Sequence, residues 1–339
     1  PVGKNSLTTP VEELLGGPLP AAPSVLRLIW GFSGNGVGLV VVGLGTALYL
    51  RGVLNMRRRG AVWPVGRTIS WLAGMLIIAW ATFGGLGKYS HVLFSAHMAS
   101  HMMLSMVAPI FLALGAPMTL ALRTLPGPRQ AGEISPRSLL LSFLQSRFSR
   151  IITNPLVCPV LFVGSLYGLY FTGIFETLMS SHWGHGVMEL HFMAVGTLYY
   201  YVLIGIDPTP KPLAPIVRFG MLLVTIPFHA FFAIAVMSSN TVFAGSYFRQ
   251  LHRPSLTDLL HDQYLGGGMA WAMGEIPLVL VMGALMVQWF RSDSRDAKRL
   301  DRAESRSGDA VLEAYNARLR DLAEHGKLGI GMRRFGDQG

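Results

Sequence analysis

Residues 92–122 read VLFSAHMASHMMLSMVAPIFLALGAPMTLAL, thirty-one residues without one Asp, Glu, Lys or Arg. A helix needs about 20 mostly apolar residues to cross the hydrocarbon core of a bilayer. This stretch is therefore long enough to span with tilt, or to break near Pro109 and Pro117, where proline removes a helix donor. Working outward, apolar runs of similar kind lie at 33–50, 68–87, 155–175, 183–206, 216–238 and 264–290. Together they predict an all-α, polytopic bundle of seven transmembrane helices and a multi-pass location in the cell membrane. Composition agrees, with 51% hydrophobic and 14% charged residues, where a soluble domain carries about 25% charged.

The loops set the orientation. Arg51, Arg57, Arg58, Arg59 and Arg67 fall in the first link, Arg123, Arg129, Arg137, Arg147 and Arg150 in the third, and Lys211 and Arg218 in the fifth. The alternate links hold only Lys88, Arg249 and Arg253. By the positive-inside rule the cation-rich side faces the cytoplasm, with the N-terminus outside and the C-terminus inside. The net charge of +10 is then a property of cytoplasmic loops rather than a sign of nucleic-acid binding. Residues 1–30, with Pro10, Pro18, Pro20 and Pro23, read as a linker, 31–290 as the membrane domain, and 291–339 as a charged cytoplasmic tail. In the tail Leu312, Tyr315, Leu319 and Leu322 recur at helical spacing and predict an amphipathic helix. Residues 138–151 predict a second, interfacial helix.

On this topology nine of the ten histidines lie outside or within the membrane, and only His325 is cytoplasmic. His97 and His101 are four residues apart and share a helix face. One metal ion bound there needs a third ligand from a neighbouring helix, for which His191 and His229 are the candidates. Met98 and Met102 stand about 100–140° round the helix from the histidines. They line an adjacent path as exchange ligands for the metal, or simply pack. Imidazole with thioether suits a soft metal such as Cu(I), and intramembrane histidines also suit haem. Glu275, after Gly274, and His185 are placed as proton carriers or as partners behind the ligands. His182, His252 and His261 read as solvated loop residues. Glu189 is a further acid within a span.

Several classes are excluded or, for a transporter, weakened. Helix 264–290 has no Lys for a retinal Schiff base. The single cysteine, Cys158, makes neither an intrachain disulfide nor a thiolate cluster. No zincin, phosphate-loop or nucleophile-elbow motif occurs in a suitable setting, and no repeat symmetry of a transporter is visible.

The segment from His97 to Pro117 resembles the multi-span CtaG-type cytochrome c oxidase assembly factors. So do His185 and His191, Phe228–His229, and DQYLGGGMAW (262–271) leading to Gly274–Glu275. The resemblance covers about residues 60–290. It implies a seven-helix bundle without catalytic turnover that matures a haem–copper oxidase through copper delivery, with oxidase subunits and membrane lipid as partners. It carries His97, His101, His191 and His229 as matched polar positions. In some members such a domain is joined to a copper-resistance-type membrane domain. A haem-binding or redox membrane protein, and a metal-free scaffold whose histidines only pair helices, are the alternatives.

Overall fold

The structure is a computed structural model and describes residues 19–130, 133–181, 183–251, 258–307 and 310–333. Much of the expected N-terminal linker therefore lies outside the described residues, as do His182 and His252. Among the described residues the chain is helical. Its single extended pairing is an isolated bridge between Phe32 and Gly84.

The chain divides into two compact units, Pro1–Leu285 and Met286–Gly339. A short helix α1 (Val25–Trp30) precedes α2 (Gly36–Arg58) and α3 (Val65–Thr82). The turn α4 (Gly85–Ser90) leads into α5 (Phe94–Met102). A π-helical turn, Met103–Val107, joins α5 to α6 (Ala108–Leu114), which is followed by α7 (Pro117–Thr124). Then come α8 (Pro136–Leu144), α9 (Arg147–Ile152), α10 (Val157–Tyr170), α11 (Ile174–Met179), α12 (Gly184–Ile204), α13 (Pro215–Ser238), α14 (Gly245–Gln250), α15 (Leu259–Ser307) and α16 (Ala310–Arg333).

Six segments are long and apolar enough to cross a bilayer: α2, α3, Phe94–Leu114, α12, α13 and Leu259–Arg291. These make the protein a multi-pass membrane protein. The run expected at 155–175 is shorter than expected. It forms α10, whose 14 residues span only about 21 Å against a core of about 30 Å. The chain turns out of it at 171–173 before α11.

The break expected near Pro109 takes a specific form. Proline at 109 has no N–H for the Ser105 carbonyl and would press its ring against it. The helix answers by widening into the π turn at Met103–Val107, a device that recurs at functional sites. The Ser105 hydroxyl donates to the His101 carbonyl (2.7 Å). The Ser105 backbone lies where a Cβ on Gly196 of α12 would have to sit, so glycine there lets the two helices approach closely.

The second break comes at Ala116, buried and left-handed with φ +50°. A non-glycine residue in that region costs about 1–3 kcal/mol, and neighbours hold it there. Tyr49 donates to the Gly115 carbonyl (2.8 Å). Asp207 accepts from the Met118 amide (3.1 Å), the Thr119 amide (2.8 Å) and the Thr119 hydroxyl (2.6 Å).

Another expectation is corrected. Residues 138–151, read as one interfacial helix, form α8 and α9, because the Ser146 hydroxyl accepts from the Ser149 amide (3.1 Å) and starts a new helix. The apolar run expected at 264–290 lies within Leu259–Arg291, and α15, which holds it, continues to Ser307. In the second unit α16 contains Leu312, Tyr315, Leu319 and Leu322, all exposed.

Candidate metal centre

Helix α5 begins on a fixed anchor. The carboxylate of Asp262, at the start of α15, accepts from the Phe94 amide (2.7 Å) and the Ser95 hydroxyl (2.5 Å). A carboxylate there satisfies first-turn donors and favours the positive end of the helix. One turn on, the rings of His97 and His101 pack at a tilt with centroids 4.0 Å apart, and neither side chain is exposed (0%).

Helix α12 supplies the third imidazole. Its first residue, Gly184, sits where a Cβ would meet the Leu178 carbonyl, and His185 follows. His185 Nε2 lies 3.2 Å from His97 Nδ1. Among the described residues, His97, His101 and His185 form one group in which each offers a nitrogen within 4.8 Å of the others. The Nε2 atoms of His97 and His101 are buried and have no hydrogen-bond partner.

Behind His185 stands a carboxylate. Its Nδ1 is 3.3 Å from Glu189 Oε1, one helical turn away, at ion-pair distance but without hydrogen-bond alignment. The other oxygen, Oε2, accepts from Asn35 Nδ2 (2.7 Å). Asn35 also caps α2, its Oδ1 accepting from the Gly38 amide (3.0 Å), and its Nδ2 reaches the Thr82 carbonyl at the end of α3 (3.4 Å). One asparagine thereby ties three spanning helices to the acid that orients His185. Tyr170, the buried last residue of α10, places its hydroxyl 3.1 Å from His101 Nδ1.

Aromatic rings close the walls. Phe175 lies 5.1 Å from the His97 ring and Phe192 lies 4.6 Å from the His101 ring, measured between centroids. His91, in the link before α5, packs at a tilt against His185 with ring centroids 3.9 Å apart. Burial of its ring, and secondarily the neighbouring His185, lower the His91 imidazole to about 3, so it stays neutral at physiological pH. The result is a buried pocket of imidazoles with nitrogens turned toward one another. Such a set accepts a cation that imidazole ligates.

Only part of the expected ligand set meets here. His191 is six residues beyond His185, about 240° round the helix; it is exposed and packs on Phe192. His229 is buried on α13 but forms its own pair, Nδ1 lying 3.4 Å from Glu275 Oε1, and the Gly274 backbone fits against its ring. Met98 and Met102 are fully buried in the apolar core. His185 stands in the cluster itself rather than behind it. His261, expected in a loop, is exposed in the first turn of α15. Sequence reasoning named Glu189 without a partner and did not reach Asn35 or Tyr170. The i, i+4 spacing of His185 and Glu189 was the one available signal.

A model of the cytochrome c oxidase caa3 assembly factor family matches residues 47–292. Uncharacterized proteins of Mycobacterium bovis and Mycobacterium tuberculosis are each 42% identical over 316 residues, 92% of this chain and 47% of theirs. One from Mycobacterium leprae is 40% identical, over 92% of this chain and 48% of its own. The chain spans about half the length of the curated relatives it matches. No solved structure matches it.

Proposed function

The chain belongs to the cytochrome c oxidase caa3 assembly factor family, and on that premise we propose that it carries Cu(I) as cargo between His97, His101 and His185 and delivers it to the oxidase. It acts in assembly, without catalytic turnover. The cation-rich helix ends face the cytoplasm, and the histidine cluster, at the opposite ends, sits in the outer half of the membrane with the N-terminus outside. Helix α10 with α11 completes a seventh crossing. Association with a copper-resistance-type membrane domain belongs to the same proposal and supplies copper from the outer side.

One observation carries it: three buried imidazoles whose nitrogens converge within 4.8 Å, two of them with an unpartnered Nε2. A buried polar atom without a partner costs about 1–3 kcal/mol, and an ion ligated by His101 Nε2 removes that cost there. Two nitrogens bound tetrahedrally at about 2.0 Å from one ion stand about 3.3 Å apart. The His185–His97 separation is 3.2 Å. Glu189 behind His185 repeats the carboxylate–histidine support common to metal ligands.

The same 3.2 Å contact also fits a direct hydrogen bond between two imidazoles, which favours a metal-free scaffold as the second reading. Haem is less well supported, since Phe175, Phe192 and Tyr170 occupy the space beside the imidazoles.

The test is the metal and haem content of the protein purified anaerobically in detergent and loaded with Cu(I). His97→Ala/His101→Ala and His191→Ala are carried in parallel, and circular dichroism checks their fold. Near-stoichiometric copper in the wild type and in His191→Ala, lost in the double variant, is expected. No copper in the wild type would leave the scaffold reading, and a haem band lost in the double variant would replace copper with haem.

A further inference from the structure

At the helix ends opposite the histidines lies a cavity of about 960 Å³, at the upper end of the range of ligand pockets. Arg59, Arg123, Arg137 and Arg218 line it, and Asp207 is the one acid among its lining residues. That carboxylate is already engaged, through both oxygens, in capping α7. The cavity wall therefore presents an excess of positive charge that the protein does not neutralise.

The arginines are set in place by different means. Arg59 donates to the carbonyls of Arg123 (3.1 Å) and Thr124 (3.2 Å), closing the C-terminal end of α7. Arg218 donates through Nη1 to the carbonyls of Leu203 (3.3 Å) and Ile204 (2.9 Å) at the end of α12. Its Nε is enclosed and has no partner. Gly205 permits this approach: its φ is +63°, and a Cβ there would stand 2.6 Å from Arg218 Nη1. Arg123 and Arg137 are exposed at the cavity and, among the described residues, their guanidiniums have no acidic partner.

We propose that this cavity binds the phosphate of an anionic membrane lipid. Guanidinium groups match phosphate with paired, charge-assisted hydrogen bonds. Basic pockets between spanning helices at the headgroup level are suited to anionic lipid headgroups. Apolar lining from Leu122, Val202 and Leu213 continues the acyl environment below the headgroup. This site is independent of the copper proposal and shares no residue with it.

The experiment titrates short-chain phosphatidylglycerol, short-chain phosphatidylcholine and inorganic phosphate into the full chain in detergent, read by thermal shift and calorimetry. The variants are Arg123→Ala/Arg137→Ala and, matched in charge, Arg57→Ala/Arg58→Ala, which lies on the same side but outside the cavity. Phosphatidylglycerol is expected to bind saturably and more tightly than phosphatidylcholine. The cavity variant weakens it roughly thirty-fold, from about one unit of interfacial attraction per arginine, and the matched variant leaves it unchanged. Equal binding of the two lipids, or equal losses in the two variants, overturns the proposal. Inorganic phosphate binding as tightly as phosphatidylglycerol overturns the lipid assignment in favour of a free-phosphate site.

Discussion

The two ends of the membrane unit solve opposite problems. At one end, three histidines rise from α5 and the start of α12, sealed by rings, and their supports come from helices or helix ends: Glu189 on α12, the α2 cap Asn35, Tyr170 at the end of α10 and Asp262 on α15. At the other end, four arginines come from helix termini and links around an open cavity, two of them tied only to backbone carbonyls. The first site is dry and positioned within narrow limits, so its chemistry depends on small displacements. The second is wet and charge-dominated, so it depends on the number of cations more than on their placement. Substitutions that move helices should therefore damage the histidine end, and substitutions that remove arginine charge should damage only the arginine end.

The largest effect is expected from Gly196→Leu. Its side chain would occupy the place of the Ser105 backbone, so α12 must move away from the π turn and carry His185 off His97. Overpacking of this kind costs about 1–3 kcal/mol, read as a lower melting temperature, and copper binding falls with it. Retained copper in a destabilised protein would show that the helix contact and the imidazole geometry are not coupled. Next comes Glu189→Gln, which preserves volume and the Asn35 contact but removes the charge behind His185. Loss of such a partner lowers metal affinity about 10–100-fold, measured by competition with a copper chelator, while phosphatidylglycerol binding stays unchanged. Unaltered copper affinity would reduce Glu189 to a tie between α2 and α12. Tyr170→Phe removes one hydroxyl from His101 and is expected to lower copper affinity by a smaller factor, in line with about 0.5–1.5 kcal/mol for a hydrogen bond.

The contrast between the ends also explains what the chain disclosed as bare sequence. Helices α12 and α13 were legible to within two residues, because each is a long, largely apolar run, set off by Gly184 and Gly205 in the first and by Pro215 in the second. The breaks at Pro109 and Pro117 were legible because proline removes a donor wherever it falls. The form of the first break was not, since the π turn also depends on Gly196, far away in sequence. His97 and His101 were legible as a pair from spacing alone. Spacing fixes rotation between residues on one helix, but not which way that helix faces its neighbours. His191 was therefore expected among the ligands and His185 behind them, whereas His185 meets His97 and His101 and His191 is exposed. Asn35 and Tyr170 are uncharged and act across 154 and 69 residues of sequence respectively, so no local pattern marks them. The arginine cavity gathers four separate segments, and its cations informed only the orientation of the chain.

The smallest effect separates sulfur from packing. Met98 and Met102 each follow a cluster histidine by one residue, about 100° round α5, and both side chains are at 0% exposure in the apolar core. If they are walls, Met98→Leu/Met102→Leu conserves volume and polarity, costs less than about 1.5 kcal/mol per site, and leaves copper stoichiometry and affinity unchanged. Leucine has no lone pair to offer a soft ion, so a slower release of copper to an acceptor, with affinity intact, would identify the thioethers as transient ligands on the way out. A lower affinity would place them in the resting site beside the imidazoles. An unchanged affinity and release rate would leave ligation to His97, His101 and His185 and make the dryness of their surroundings the methionines' whole contribution.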